Sequence, residues 1–324
     1  MLAIVCPGQG SQTPGFLSPW LDLPGAAERL GTLGEAAGTD LVTHGTTSDA
    51  ETIRDTSVAQ PLIVAASLLA YRALLAGVDG GLRPDVTAGH SVGELAAAAV
   101  AGVLDDAGAA ALVAVRARAM ADAAALEPTG MSAVVGGDPA EVLAAVENAG
   151  LHPANVNGGG QVVAAGSLEA LARLAAAPPA RARVIPLQVA GAFHTPYMQP
   201  ALDVFGPVAA SWAAQDPTLP FLSDADGAAY RGGAHGHGSA AEVLGRLAAQ
   251  VVAPVRWDLC QQTMVAMGVT GLIELAPAGV LTGLARRSLP GVETVAVKTP
   301  ADLEAARDLA LRHAGPPTTE ETQA

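Results

Sequence analysis

The segment GHSVG at residues 89–93 places Ser91 between two glycines, in the G-x-S-x-G pattern of a nucleophile elbow. The segment DVTA at 85–88 predicts a short strand immediately before it, and Ala-rich helical sequence starts at Glu94. An exposed nucleophilic serine requires a strand, a sharp turn and a helix, and small residues permit such a turn. The pattern therefore predicts a serine nucleophile, with an ordinary strand-to-helix turn as the alternative.

A serine hydroxyl attacks only when a base removes its proton, so a histidine must lie nearby in the fold. His194 is the best placed of the seven histidines, since it follows a predicted strand at 183–189 and stands in a loop before Pro196. Four acidic residues between Ser91 and His194 fall in helix-like surface segments: Asp138, Glu141, Glu147 and Glu169. We therefore expect a neutral group to orient the imidazole, with a purely structural histidine as the alternative.

Two further segments carry groups that could bind an anion. PGQGSQ at residues 7–12 follows the first predicted strand, 2–6, and its backbone could hold a phosphate or supply an amide to an oxyanion. Arg116 lies in an apolar helical segment, where a buried guanidinium needs an anionic partner such as a carboxylate. The alternatives for Arg116 are that it reaches the surface or pairs with Asp122.

The composition excludes several classes of protein. The 324 residues are half hydrophobic, which predicts a folded chain of one large or two unequal domains. A formal net charge of −14 argues against binding to nucleic acid or to an anionic membrane surface. Polar residues interrupt the longest apolar stretch, 58–78, so we expect no membrane span. The sequence MLAIVCPGQG at residues 1–10 has no basic segment, so we expect no secretory signal and a cytoplasmic protein.

The cysteines and histidines predict no metal site. Cys6 and Cys260 lie in apolar or helical segments and are expected to be buried free thiols. His235 and His237 share a Gly-rich loop that offers no third ligand nearby, which favours a solvated loop.

The order of predicted elements indicates two domains, one inserted into the other. Residues 127–190 follow the order β-α-β-β-α-β, which matches a ferredoxin-like unit. The flanking segments, 1–126 and 191–310, predict a larger α/β domain with a short parallel sheet. The tail at 314–324 is expected to be disordered. We expect the active site in the cleft between the domains, with His194 at their junction.

Five segments together resemble the malonyl-CoA:acyl-carrier-protein transacylases in their order and approximate spacing. They are PGQGSQ at 7–12, GHSVGE at 89–94, Arg116 with Met120 one turn on, AFH at 192–194, and Gln250 followed by APV at 253–255. The resemblance extends over nearly the whole chain and is to the free-standing enzyme of a bacterial type II fatty acid synthase. It implies an α/β-hydrolase-like large domain with a short parallel sheet and an inserted ferredoxin-like small domain.

The resemblance also implies a role for each matching residue. Ser91 is the acylated nucleophile, His194 is its base, and the main-chain carbonyl of Gln250 holds the imidazole. The backbone amides of Gln9 and Val92 form the oxyanion hole. The substrate-binding residues are Arg116, which pairs with the malonyl carboxylate, and Gln60, His90, Met120, Asn157 and Phe193. The Phe193 ring is expected to leave no room for a 2-methyl branch.

The implied reaction is ping-pong transfer of malonyl from malonyl-CoA to the phosphopantetheine thiol of acyl carrier protein, for fatty acid and polyketide synthesis. It needs no metal or redox cofactor. Acyl carrier proteins are acidic, so Arg183, Arg286 and Arg287 are candidates for binding carrier protein or CoA, with ordinary solvated surface as the alternative. Two other functions stay open: a serine hydrolase of small thioesters or esters, and a non-catalytic module that binds carrier protein.

Overall fold

The computed structural model describes residues 1–78, 82–232 and 238–314, which form two β-sheets and the helices that cover them. The strands are β1 (Leu2–Cys6), β2 (Val86–Gly89), β3 (Thr129–Gly136), β4 (His152–Gly158), β5 (Gln161–Ser167), β6 (Ala182–Pro186), β7 (Phe221–Leu222), β8 (Ala229–Tyr230), β9 (Gly271–Glu274) and β10 (Glu293–Ala296). The helices are α1 (Ala26–Ala37), α2 (Leu41–Thr46), α3 (Thr56–Leu75), α4 (Gly93–Val100), α5 (Asp106–Ala124), α6 (Pro139–Asn148), α7 (Leu168–Ala176), α8 (Gln199–Ala210), α9 (Ala240–Ala249), α10 (Trp257–Met267), α11 (Val280–Ser288) and α12 (Leu303–His313). His235, His237 and the predicted disordered tail beyond Ala314 lie outside the described residues.

The larger sheet has the strand order β10-β9-β1-β2-β7-β8, and neighbouring strands from β10 to β7 are parallel. All five residues of the central strand β1 are buried, as a continuous apolar run in a parallel sheet should be. Cys6, at the end of β1, pairs with Gly89, at the end of β2. The loop at 7–12 and the turn that carries Ser91 therefore leave the same edge of the sheet, where α/β folds bind their ligands.

The smaller sheet has the strand order β4-β5-β3-β6, and every pairing in it is antiparallel. Helices α6 and α7 follow β3 and β5, which gives the β-α-β-β-α-β order of a ferredoxin-like unit. The predicted fold class, a large α/β domain with an inserted ferredoxin-like unit, is confirmed. The strands of the unit extend from Thr129 to Pro186, inside the predicted range 127–190. The residue limits of the two domains stay a prediction.

Helix α3 is long and apolar enough to cross a membrane, with a mean hydropathy of 1.6 in its most apolar window. However, 78% of that window is buried within the protein, where α3 packs against α4 and α5. A helix that is apolar on all sides and covered by other helices is typical of a protein core. We therefore interpret α3 as the central helix of the large domain, in agreement with the expectation of no membrane span.

Glu274, the last residue of β9, fixes the start of helix α11, which forms one wall of the cavity described below. Its buried carboxylate accepts hydrogen bonds from four successive backbone N–H groups, those of residues 279–282, at distances of 2.8 to 3.1 Å. The first N–H groups of a helix have no partner inside the helix, so Glu274 satisfies them. A carboxylate of the protein thus occupies the N-terminus of α11, which is therefore not open to an anionic ligand.

Candidate active site

Ser91 lies at the sharp turn between β2 and α4, at a backbone φ of 54°. This left-handed conformation is rare for a residue with a side chain and marks a strained turn. A Cβ on Gly89 would lie 2.1 Å from the backbone nitrogen of Glu94. A Cβ on Gly93 would lie 2.2 Å from the carbonyl oxygen of Cys6. Both glycines are therefore required by close packing, and the turn has the geometry of a nucleophile elbow.

His194 faces Ser91 at the junction of the two domains. Its Nε2 lies 2.7 Å from Ser91 Oγ, and its Nδ1 lies 2.8 Å from the main-chain oxygen of Gln250. Because a carbonyl oxygen only accepts hydrogen bonds, the ring proton is on Nδ1, and the Nδ1–H donates a hydrogen bond to Gln250. Nε2 is therefore able to accept the serine proton. The group that orients the imidazole is thus a neutral backbone carbonyl rather than an acid.

The protonation of His194 depends on its burial and on a nearby cation. Burial, together with the positive charge of Arg116, lowers the pKa of His194 to about 3. The imidazole is therefore neutral at physiological pH, which is the form that can accept a proton. A substrate anion beside Arg116 would offset the cation and raise the pKa of His194.

The backbone amides of Gln9 and Val92 stay candidates for the oxyanion hole. Neither N–H group has a hydrogen-bond partner within residues 1–78, 82–232 and 238–314. Val92 directly precedes helix α4, whose N-terminal dipole favours negative charge. The loop that carries Gln9 is held by its own contacts, since the Gly10 N–H donates to the Gln12 side chain at 2.8 Å. This loop does not need to reorganise to present an amide.

Arg116 is fully buried and lies between two neutral side-chain amides. Its Nη1 donates to Gln60 Oε1 and its Nη2 donates to Gln250 Oε1, both at 2.6 Å. Its Nε has no partner among the described residues. Burial lowers the pKa of Arg116 to about 10, so the side chain is still charged at neutral pH. A buried cation bonded only to neutral groups suits a carboxylate supplied from outside, and the alternatives of a surface position or a pair with Asp122 are wrong.

A cavity of about 280 Å³ opens beside Ser91 and His194, between the small sheet and helix α11. The predicted site residues that line it are Gln9, Gln60, His90, Ser91, Met120, Asn157, Phe193 and His194. Arg116 does not line the cavity itself and contacts it through Gln60. A carboxylate in the cavity would therefore reach the guanidinium by displacing the Gln60 amide.

His90 and Asn157 connect the nucleophile turn to the small sheet. His90 Nε2 lies 2.8 Å from Asn157 Oδ1, and Asn157 Nδ2 donates to Gln161 Oε1 at 2.8 Å. Burial lowers the pKa of His90, so the ring is neutral and donates a hydrogen bond to the amide oxygen. The two residues therefore hold each other in the cavity wall, across the boundary between the domains.

The three arginines predicted to bind carrier protein or CoA lie on the surface outside the cavity. Arg183 is exposed on β6, which is an edge strand of the small sheet. Arg286 and Arg287 are exposed in the last turn of α11. Arg287 packs against the turn between β4 and β5, since a Cβ on Gly159 would lie 3.2 Å from its Nε. These positions surround the small sheet and α11, which form the walls of the cavity.

Two buried acids beneath Ser91 are missing from the predicted site. Asp224 lies two residues after β7, and its Oδ2 accepts the Ser91 N–H at 2.8 Å. Glu94 accepts the Asp224 N–H at 2.6 Å. The α/β-hydrolase order places an acid between the serine and the histidine, but Asp224 follows His194 in the chain. A search guided by that order therefore does not find Asp224. The available signal was its position at the end of a short apolar run.

Cys6 and Cys260 are buried free thiols, as predicted. Burial raises the pKa of each thiol well above its usual value, so both stay protonated. No group of three or more His, Cys, Asp or Glu side chains that could hold a metal occurs in the part of the chain that the structure describes.

The acyl transferase domain family matches residues 3–303 of the chain. The chain belongs to the acyl transferase family. The matched range of this acyl transferase includes every residue placed at the candidate site above. The prediction that the protein is an enzyme is confirmed.

Curated relatives narrow the family. This acyl transferase is 53% identical over 309 residues to a malonyl CoA-acyl carrier protein transacylase of Mycobacterium tuberculosis, which covers 94% of this chain and 98% of the relative. It is 34% identical over 314 residues to the protein of the same description from Escherichia coli, with 95% and 99% covered. The resemblance stated from the sequence motifs is confirmed.

Solved structures share the fold. The crystal structure of MCAT from Mycobacterium tuberculosis matches with a TM-score of 0.87 at 52% identity, covering 95% of this chain and 99% of that chain. A malonyl-transacylase in complex with a type II PKS acyl-carrier protein matches with a TM-score of 0.86 at 31% identity, covering 95% and 99%. The arrangement of two sheets is therefore common to these enzymes.

Proposed function

We propose that this acyl transferase moves the malonyl group from malonyl-CoA to the phosphopantetheine thiol of an acyl carrier protein, for fatty acid or polyketide synthesis. The observation that carries the proposal is the array of Ser91, His194 and the Gln250 carbonyl beside Arg116, a buried cation to which no anion among the described residues is directly bonded. The descriptions of the relatives support the same activity. A cytoplasmic location stays a prediction.

In the first half-reaction, Ser91 Oγ attacks the thioester carbonyl of malonyl-CoA while His194 Nε2 takes the serine proton. The Gln250 carbonyl holds the Nδ1–H and stabilises the imidazolium that forms. The negative oxygen of the tetrahedral intermediate accepts hydrogen bonds from the Gln9 and Val92 amides. The intermediate expels CoA, which takes the proton from His194, and malonyl-Ser91 is left.

In the second half-reaction the pantetheine thiol of the carrier protein attacks malonyl-Ser91. His194 removes the thiol proton and returns it to Ser91 Oγ when the serine leaves. The first half-reaction converts a thioester into the ester malonyl-Ser91, and the second converts this ester back into a thioester. The same groups therefore serve both half-reactions. Each step uses only side chains and backbone of this chain, and we propose no metal or redox cofactor.

Selection of malonyl rests on Arg116 and on the walls of the cavity. The malonyl carboxylate displaces the Gln60 amide and forms a bidentate pair with the guanidinium. The Met120 sulfur lies 3.6 Å from Gln60 Nε2 and limits where the Gln60 amide can move. Phe193 excludes a branch at the second carbon of the acyl group. His90 and Asn157 keep the opposite wall in place.

A labelling experiment tests the proposal against the two alternative functions. Malonyl-CoA should add one malonyl group to the protein, on Ser91 by peptide mapping, and Ser91→Ala should stay unlabelled. The malonyl-enzyme should discharge to a pantetheine thiol much faster than to water. Faster discharge to water would favour the hydrolase, and no label on the wild-type protein would favour the non-catalytic module.

We propose that Arg286 and Arg287, with Arg183, attract the acidic carrier protein to the mouth of the cavity. Reversing two charges with Arg286→Glu/Arg287→Glu should lower kcat/KM for carrier-protein transfer by about tenfold at low salt, and less at high salt. Acylation by malonyl-CoA should be spared, which single-turnover measurements of each half-reaction would show.

The matched control for this charge reversal is Arg118→Glu/Arg231→Glu, two exposed arginines elsewhere on the surface. The control has the same net charge, so it corrects for general repulsion of an acidic partner. Equal losses in the two double variants, or equal losses in both half-reactions, would contradict a docking role for Arg286 and Arg287.

A further inference from the structure

The carboxyl groups of Glu94 and Asp224 form a buried pair directly beneath the nucleophile. Both residues are 0% exposed. The pair holds the backbone of the elbow, because Asp224 Oδ2 accepts the Ser91 N–H at 2.8 Å and Glu94 Oε1 accepts the Asp224 N–H at 2.6 Å. The reaction steps described above use neither carboxyl group, so the charge of the pair has no assigned function.

The Gln250 side chain separates this acid pair from Arg116. Its Oε1 accepts from the guanidinium, while its Nε2 donates towards Glu94 Oε2 and lies 3.1 Å from Asp224 Oδ2. Arg116 is therefore bonded to neutral amides that a substrate carboxylate can displace, although two acids lie just beyond. The negative charges of the acids stabilise the charged form of Arg116 through space, although Arg116 forms no direct ion pair with them.

Hydrogen-bond donors at the pair are too few for two carboxylates. Gln250 Nε2 has two hydrogens but faces three acceptor groups, because the main-chain oxygen of Ser91 also lies 3.0 Å from it. Two ionised carboxylates in a dry site also repel each other. One carboxylic proton supplies the missing donor and lowers the charge of the pair to −1, which balances Arg116.

We propose that Glu94 and Asp224 are positioning residues that share one proton in the unliganded enzyme and take up a second when a substrate carboxylate reaches Arg116. This inference rests on the proposed malonyl transfer. A malonyl carboxylate adds one negative charge to a buried cluster that is otherwise neutral, and the second proton cancels it. An acetyl group adds no charge and requires no proton.

The other titratable and charged groups that face the pair keep one charge state near neutral pH. Among the described residues they are His194 and His90 on the cavity side, Cys260 on α10, Arg116 on α5, and Arg256, whose backbone N–H donates to the Asp224 main-chain oxygen and whose side chain pairs with Asp258. Burial lowers the pKa of both histidines, raises that of Cys260, and leaves Arg116 charged. Burial and the charge of Asp224 raise the pKa of Glu94 well above its usual range, and burial raises the pKa of Asp224 to about 7. Of these described groups, the pair alone therefore changes charge near neutrality.

The consequence is a preference for malonyl that falls as pH rises. On the acid side of its titration the pair already holds both protons, so the carboxylate enters a cluster with a net positive charge. On the alkaline side one proton must first be taken from solution, which lowers kcat/KM for malonyl-CoA by up to about tenfold per pH unit. Acetyl-CoA should not show this decrease.

The test is single-turnover acylation of the wild-type enzyme by malonyl-CoA and acetyl-CoA at a series of pH values on both sides of neutrality. The ratio of the two rate constants should decrease above neutrality. Calorimetry in buffers of different ionisation enthalpy should show uptake of up to one proton per malonyl group loaded above neutrality, and none for acetyl. Both substrates release the same CoA thiol, so its ionisation cancels in the comparison.

The double variant Glu94→Gln/Asp224→Asn removes both titratable groups, so its malonyl-to-acetyl ratio should not depend on pH. Glu274→Gln is the matched control, since it removes a buried carboxylate elsewhere and should keep the pH dependence of the ratio. If the pair had only a structural role, the double substitution would lower the acylation rates with malonyl-CoA and acetyl-CoA equally at every pH.

A pH-independent ratio in the wild type would overturn the inference, even if the double variant fails to fold. A ratio that still falls with pH in a folded double variant would also overturn it. Normal malonylation of Ser91 with a constant ratio would leave the proposed function intact, whereas no malonylation at all would remove both.

Discussion

Arg116→Ala is expected to reverse the substrate preference of the enzyme. Removing one partner of a buried charge pair costs about 3–4 kcal/mol, which corresponds to a loss of about 10²- to 10³-fold in kcat/KM for malonyl-CoA. Acylation by acetyl-CoA should be kept or should increase. The two substrates differ in the carboxylate that pairs with the guanidinium, so the effect is one of selectivity.

The increase with acetyl-CoA follows from the position of Arg116 beside the catalytic base. Its positive charge contributes to the low pKa of His194. A malonyl carboxylate neutralises that charge when it binds, but an acetyl group does not. Substituting alanine removes the cation permanently and raises the pKa of His194, which makes the imidazole a better base for a substrate without a carboxylate.

The measurement is kcat/KM for malonyl-CoA, methylmalonyl-CoA and acetyl-CoA with the wild type, Arg116→Ala and Arg116→Lys. The lysine variant should be intermediate, because an ammonium keeps the charge but cannot form the bidentate pair. Arg118→Ala, an exposed arginine on the same helix, is the control and should keep the wild-type preference. Equal losses for malonyl-CoA and acetyl-CoA would mean that Arg116 has only a structural role.

Local patterns were sufficient for most of the fold. The buried run of β1 and the strand–turn–helix sequence around Ser91 are properties of neighbouring residues, so the sequence predicts them directly. The β-α-β-β-α-β order of the small unit is likewise visible in its alternating pattern. Helix α3 illustrates the limit of such patterns, because its composition alone does not distinguish a core helix from a membrane span.

The charge balance of the site could not be predicted in this way. Asp224 is 133 positions from Ser91, and their contact depends on how β7 is placed beside β2. The motif resemblance predicts a role for the main-chain carbonyl of Gln250 only. In the structure the Gln250 side chain also separates Arg116 from two acids. Such three-dimensional contacts require the packed structure, since no spacing in the chain records them.

His194→Ala is expected to lower the rate of acylation by about 10³-fold, within the range of about 10²–10⁴ that general base catalysis contributes. The loss should lie in kcat, because the alanine leaves Arg116 and the cavity walls able to bind malonyl-CoA. Binding of malonyl-CoA to the variant, measured by calorimetry, checks that the site is intact. Added imidazole should restore part of the rate, since it can occupy the space left by the ring and accept the proton of Ser91.

The acid side of the wild-type pH profile provides an independent check on His194. A base with its pKa near the usual histidine value would lose activity as pH falls through about 6.5. Burial and Arg116 hold the pKa of His194 at about 3, so the ring stays neutral, and acylation should not decrease between pH 7 and about pH 5. A decrease centred near pH 6.5 would show that the imidazole is more exposed to water than its burial implies. If imidazole then also failed to rescue the alanine variant, His194 would not be the base.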